Sequence, residues 1–164
     1  MKTMLIILAL VVAGYLWYDH EKGTQSANKP PVVTDPYYME VRASNDISGR
    51  EIELALFARA LNERDCENGT KAGWASITKT CPTCTAQAPK CMKELPPRYA
   101  RLFDDVPIPS AYLSGTAATE RERDIRVVVY GLTDQEGMTI CEVMRTELAK
   151  NFTGATHCVA PSGG

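Results

Sequence analysis

All six cysteines of this chain lie on one side of a single apolar run. The run is MLIILALVVAGYLWY, residues 4–18, and Cys66, Cys81, Cys84, Cys91, Cys141 and Cys158 all follow it. An apolar N-terminal segment ahead of a cysteine-bearing region reads as export across a membrane, into a space where disulfides persist. The part behind the run is therefore expected to be held by covalent cross-links as well as by its core.

The run itself has two readings. Fifteen helical residues span roughly 22 Å, and Thr3 and a snorkelling Lys2 extend that reach. A cleaved signal peptide would use Val11 and Ala13 as its small-residue site, but Gly14 to Tyr18, which follow, are still apolar. Thr24 and Ser26 also satisfy the small-residue rule, beyond the charged stretch Asp19 to Lys22. Trp17 and Tyr18 stand where an interfacial aromatic belt would fall, which favours an uncleaved signal-anchor. Lys2 and the α-amino group place the N-terminus in the cytoplasm and the rest outside. Secretion after signal cleavage is the alternative.

Residues 1–20 are thus read as a membrane-anchoring helix and residues 21–36, with three prolines, as an extended stalk. Residues 37–160 form one extracytoplasmic domain, and residues 161–164 a frayed tail. About 125 residues suffice for a single hydrophobic core. Net charge is −2, so nothing polybasic points to nucleic acid.

Within the domain, the alternation over Tyr38 to Arg42 predicts a strand. Ser48-Gly49-Arg50-Glu51 reads as a capping box opening a helix, with Leu54, Phe57, Ala58 and Leu61 as its core-facing stripe and an end near Asp65. Asn68-Gly69 reads as a turn and Gly73 to Thr80 as a strand. Five prolines between Pro89 and Pro109 make the middle an insertion, with a short proline-started helix over Leu95 to Phe103. Ile125 to Tyr130 is a buried strand. Thr133 to Glu136 is a capping box, opening a helix that presents Cys141, Met144 and Leu148. Ala155 to Ala160 is a last strand. The order βαβ, insertion, βαβ is that of an α+β, ferredoxin-like sandwich with two helices on one face of an antiparallel sheet.

The cysteines carry the candidate chemistry. Cys141 on the inner face of the last helix and Cys158 in the strand beneath it are matched for a disulfide. Cys66, Cys81, Cys84 and Cys91 leave three readings open. They form two structural bridges, with Cys66 reaching Cys91 or Cys81. They hold a metal, although the spacing has one close pair where structural zinc sites show two. Or Cys81-Pro82-Thr83-Cys84 is a redox pair. A C-x-x-C lowers the pKa of its first thiol, here Cys81, and makes a reactive thiolate. The tetrapeptide resembles the active-site motif of glutaredoxin-like proteins, a likeness that carries no activity with it. It covers four residues; the polar stretch Ala75 to Thr80 and Pro89 depart from that family's strand and helix.

No P-loop, dinucleotide fingerprint, H-E-x-x-H or G-x-S-x-G is present. Neither a metal nor a cofactor is expected. The sequence expectation is a membrane-anchored, periplasmic-type domain with a structural or protein-interaction role, bound to the membrane through residues 4–18 and to a protein partner. The alternative is a membrane-tethered oxidoreductase using Cys81 and Cys84.

Overall fold

The computed structural model describes residues 29–163. The apolar run and the first half of the expected stalk lie outside the described residues. Among the described residues no helix is long and apolar enough to cross a membrane.

The domain opens with a hairpin. Strand β1 (Tyr37–Ile47) pairs along its length with β2 (Arg50–Ala60). Ser48 and Gly49 form the turn, with φ of 57° and 79°, and the Gly49 amide donates to Asp46 Oδ1 at 2.8 Å. Two successive positive φ values are what a two-residue hairpin turn requires. The expected helix from Ser48 to Asp65 is therefore corrected to a turn and a strand. The stripe misleads because β2 is buried on both faces. Ile52, Leu54, Leu56, Ala58 and Ala60 enter one core, and Ala55 and Phe57 enter another. A strand with two apolar faces shows no clean period of two.

Helix α1 (Glu63–Thr80) begins where that helix was expected to stop. Asn62 caps it by accepting from the Asp65 amide at 3.0 Å. The expected turn at Asn68-Gly69 and strand at Gly73 to Thr80 are both inside α1. Its buried positions, Cys66, Thr70, Gly73 and Ile77, recur at helical spacing. Two of them are not apolar, so hydropathy alone does not reveal the stripe.

Strand β3 (Thr85–Met92) then returns to the outer edge of β1. The register slips between Glu40 and Arg42, opposite Ala88 and Pro89, where a bulge tolerates a residue without an amide hydrogen. Helix α2 (Pro97–Ala100) and a 3-10 turn (Arg101–Asp104) follow, in the place the sequence indicated. The second half is β4 (Tyr112–Thr116), β5 (Asp124–Tyr130), α3 (Asp134–Leu148) and β6 (Ala155–Val159). Gly131, at φ 83°, turns the chain out of β5; a Cβ there would meet the Glu51 carbonyl oxygen at 2.2 Å. The Thr133–Glu136 capping box then starts α3.

All six strands form one antiparallel sheet in the order β3-β1-β2-β5-β4-β6. Each half contributes a hairpin, a helix and a third strand that returns beside its first. The two halves join at the β2–β5 seam, from Glu53 opposite Tyr130 to Arg59 opposite Asp124. In each half two like-directed strands flank an opposed one, which is a split βαβ unit. The units lie side by side, so the four-stranded interleaved sheet of the ferredoxin-like expectation is corrected to a six-stranded one.

Both long helices pack on the same face. Cys66 and Ile77 of α1 join Ile140, Cys141, Met144 and Leu148 of α3 over Met39, Val41, Leu54, Leu113 and Val127. Three disulfides join Cys66 to Cys91, Cys81 to Cys84 and Cys141 to Cys158, with Cα separations of 5.9, 5.3 and 5.9 Å. The first and third have the same role: each ties the helix of one half to that half's edge strand.

In the chain-entropy picture, loops closed over sequence separations of 25 and 17 contribute ~3 kcal/mol each, and one closed over 3 contributes under ~2 kcal/mol. Denaturant unfolding of the Cys66→Ala/Cys91→Ala and Cys141→Ala/Cys158→Ala variants is expected to show the larger losses, and Cys81→Ala/Cys84→Ala the smallest.

Candidate functional site

The sheet face opposite the two long helices is built differently. Antiparallel register sets Glu40, Phe57, Arg126, Ser114 and His157 in one row across five strands. A neighbouring row holds Arg42, Ala55, Val128, Tyr112 and Val159. Charged and aromatic side chains thus alternate on a surface that a single segment, residues 95–109, covers in part. Its apolar contacts are Leu95, Tyr99, Leu102, Phe103 and Ile108 against Phe57, Tyr112 and Val128.

Arg126 holds that segment down. It is 3% exposed, at the centre of the sheet. Its Nε donates to the Leu102 carbonyl at 2.7 Å and its Nη2 to the Phe103 carbonyl at 3.2 Å. Its Nη1 donates to Gly115 and Ile125 carbonyls at 3.0 and 2.8 Å. Burial lowers its pKa, but a guanidinium stays charged at any physiological pH. Asp105 supplies the counter-charge at 3.3 Å. The same carboxylate accepts from Ser114 Oγ at 2.7 Å and lies 3.3 Å from His157 Nε2. Asp105 reaches this position from a left-handed backbone, φ 53°, which aspartate tolerates better than most residues. Ser114 is fully buried and faces the carboxylate rather than the imidazole. These three residues form a clasp, not a nucleophile–base relay. Tyr112 adds a hydrogen bond from its hydroxyl to the Val106 carbonyl at 3.0 Å. Its pKa is pushed up to about 12, mainly by burial, so the hydroxyl remains a donor.

Above β1 and β2 the covering segment leaves an open pocket of about 390 Å³. Its floor is Arg42, Glu53 and Tyr130 from the sheet; its wall is Arg98, Tyr99, Arg101, Ile108 and Pro109. Arg42 is paired with Glu40 through Nε and with Glu53 through Nη1. Its guanidinium carbon lies 4.9 Å from the Tyr99 ring and 5.5 Å from Phe57. Burial alone would lower the Arg42 pKa; the hydrogen bonds to Glu40 and Glu53 outweigh it and raise the value. Its Nη2 is buried and has no hydrogen-bond partner among the described residues. Arg98 stacks on Tyr99 at 4.5 Å. Phe103 receives Arg59 at 5.1 Å and Arg126 at 4.9 Å. Such contacts contribute on the order of 0.5–2 kcal/mol each, more where water is excluded.

The cysteines sit elsewhere. Cys81 is 3% exposed and caps the C-terminal end of α1, its amide donating to the Ile77 carbonyl at 2.8 Å. That end of a helix carries negative potential and disfavours a thiolate, the reverse of the N-terminal placement that activates a thiol. Cys84 is partly buried against the helix-side core. Cys66 and Cys91, and Cys141 and Cys158, are occupied in their own bridges. Among the described residues no group of three or more histidine, cysteine, aspartate or glutamate side chains is placed to hold a metal.

Sequence reading did not single out the pocket residues. One signal was available: Arg126 is a lone cation inside the otherwise apolar strand Ile125 to Tyr130. A buried cation needs partners, and its partners define the covered face. Arg98, Tyr99 and Arg101 had no such signal, because only the tertiary fold sets them above Arg42.

Comparison with models of protein families, with characterised proteins and with solved structures finds no match to this chain.

Arg42→Leu removes the cation shared by Glu40 and Glu53 and leaves Glu40, 6% exposed, with only the distant Lys90 ammonium at 4.0 Å. A loss of ~3 kcal/mol is expected in urea unfolding at neutral pH. Adding Glu40→Gln should recover part of it. An unchanged midpoint in Arg42→Leu would show that the ion cluster does not hold this face together.

Proposed function

We propose that this protein is a membrane-anchored, extracytoplasmic domain of periplasmic type that engages another protein and whose disulfides serve stability. One observation carries the reading. All six cysteines are paired, and each half of the sheet is latched helix-to-edge by its own bridge. Such a framework suits an oxidising compartment. The apolar run at residues 4–18, with Trp17 and Tyr18 at its end, supplies the means of reaching that compartment and staying at its membrane. Charged and aromatic side chains, rather than an apolar patch, dominate the open face. Val32 is the one large hydrophobic residue strongly exposed among the described residues. A surface of that kind suits a polar, electrostatically steered partner.

A second reading, thiol–disulfide exchange, draws on the short bridge between Cys81 and Cys84 in their C-x-x-C spacing. Burial of Cys81 at the negative end of α1 weighs against it.

Both readings are tested on the full chain expressed with its own N-terminus in a bacterial host. Cells are fractionated, and exposed thiols are alkylated before and after mild reductant. The anchored reading predicts full-length protein in carbonate-washed membranes, degraded by protease once the outer barrier is opened, with all thiols blocked. A shortened, soluble product would remove the anchor. A cytoplasmic, alkylatable domain would overturn the reading. Rapid and selective reduction of Cys81–Cys84, with a mixed disulfide trapped in Cys84→Ser, would favour the oxidoreductase.

A further inference from the structure

The pocket under residues 95–109 has a charge arrangement that its structural role does not use. Arg98 and Arg101 stand three residues apart on one continuous helical segment, so their side chains share a face. Both line the pocket, and neither forms an ion pair among the described residues. The acids nearby are already engaged: Glu40 and Glu53 are both taken by Arg42. Two like charges held side by side repel each other; Arg98 gains its stack on Tyr99 in return, and no contact among the described residues offsets the charge of Arg101. Arg42 lines the same pocket with one guanidinium nitrogen lacking an acceptor among the described residues. That nitrogen is buried and the guanidinium lies against the Tyr99 and Phe57 rings, so Arg42 adds positive field behind the two exposed arginines rather than a direct contact. Asp104 and Asp105 lie on the same segment, but Asp105 is turned into the clasp with Arg126.

One acid, Glu53, also lines the pocket, and its charge is met by Arg42; the rest of the lining is apolar or aromatic: Tyr99, Ile108, Pro109 and Tyr130. Burial raises the Tyr130 pKa, which keeps its hydroxyl a donor. The pocket's volume of about 390 Å³ falls within the ~300–1,000 Å³ range of small-molecule sites and exceeds what an inorganic ion needs.

We propose that this pocket binds a small organic oxyanion: a carboxylate or phosphate, held by Arg98 and Arg101 with Arg42 behind them, on an aromatic or apolar body packed against Tyr99, Ile108 and Tyr130. Arginine forks match the paired oxygens of both head groups. Stacking on Tyr99 holds the Arg98 guanidinium in place before the ligand arrives, so less side-chain freedom is lost on binding. The inference goes beyond the reading of the chain as an anchored domain and does not depend on its compartment.

The test is a heteronuclear NMR titration of the full chain in detergent micelles. The probes are phenyl phosphate and benzoate, with inorganic phosphate and benzyl alcohol as comparisons. Saturable shifts are expected at Arg98, Arg101, Tyr99 and Tyr130 with at least one of the aryl oxyanions, and the tighter of the two assigns the head group. Arg98→Gln/Arg101→Gln should weaken that binding by about tenfold or more, since hydrogen bonds to charged groups carry most of the affinity. Both arginines are exposed, so unchanged amide shifts in α1 and α3 will show that the variant is folded. Absence of saturable shifts with both aryl oxyanions overturns the proposal. So does equal binding to the double variant, or equal binding of benzyl alcohol. Inorganic phosphate binding as tightly as the aryl oxyanions would overturn the assignment of an organic ligand.

Discussion

Arg126 is the group on which the far side of this molecule depends. It enters from the middle of β5, where its neighbours along the strand are β-branched and buried. A cation at such a place costs several kcal/mol unless every donor is met. Here four carbonyls and one carboxylate meet it, and three of the five belong to the segment that crosses above. Desolvation and tethering are one event: Arg126 is tolerable in the sheet only while residues 102–105 lie over it. Through that dependence the sheet face opposite the long helices acquires a lid of fixed position. Arg98, Tyr99 and Arg101 are carried on the same lid, so the pocket's geometry is inherited from the clasp.

The clasp works because the two halves of the chain build one continuous surface. Each half closes its own helix onto its own edge strand by a disulfide, which leaves the inner strands β2 and β5 to pair across the seam. Phe57 from one half and Arg126 from the other become neighbours there. Arg42 belongs to the first half, and Tyr99 reaches it from the connection between the halves. The pocket thus lies beside the junction, where neither half alone provides both floor and wall. Small-molecule sites are often found at such junctions.

Some of this was legible in the amino-acid order, and what was legible had a local cause. The Thr133 to Glu136 box, the β-branched run before it and the last strand all declare themselves through short-range chemistry, and they stand where that chemistry puts them. The first half did not, for the opposite reason. Ser48-Gly49 fits a helix start and a hairpin turn equally well. Only pairing with β1 over Tyr37 to Ile47 decides for the turn. Helix α1 buries a threonine and a glycine in its stripe, so its periodicity is invisible to hydropathy. Edge strand β3 carries a proline and little apolar surface, and it is recognisable only once β1 is there to pair with it. Of the candidate site, the charges of Glu40 and Arg42 were visible as an alternation, but their convergence on Glu53 and Tyr99 is a product of register and of Arg126.

The most direct measurement of that dependence is hydrogen–deuterium exchange on Arg126→Met beside the unaltered chain. Methionine keeps the bulk of the side chain and removes its donors. Faster exchange confined to residues 97–106, with β2 and β5 still protected, is the result this account predicts. Unchanged protection over 97–106, or a uniform loss across the whole sheet, would contradict it.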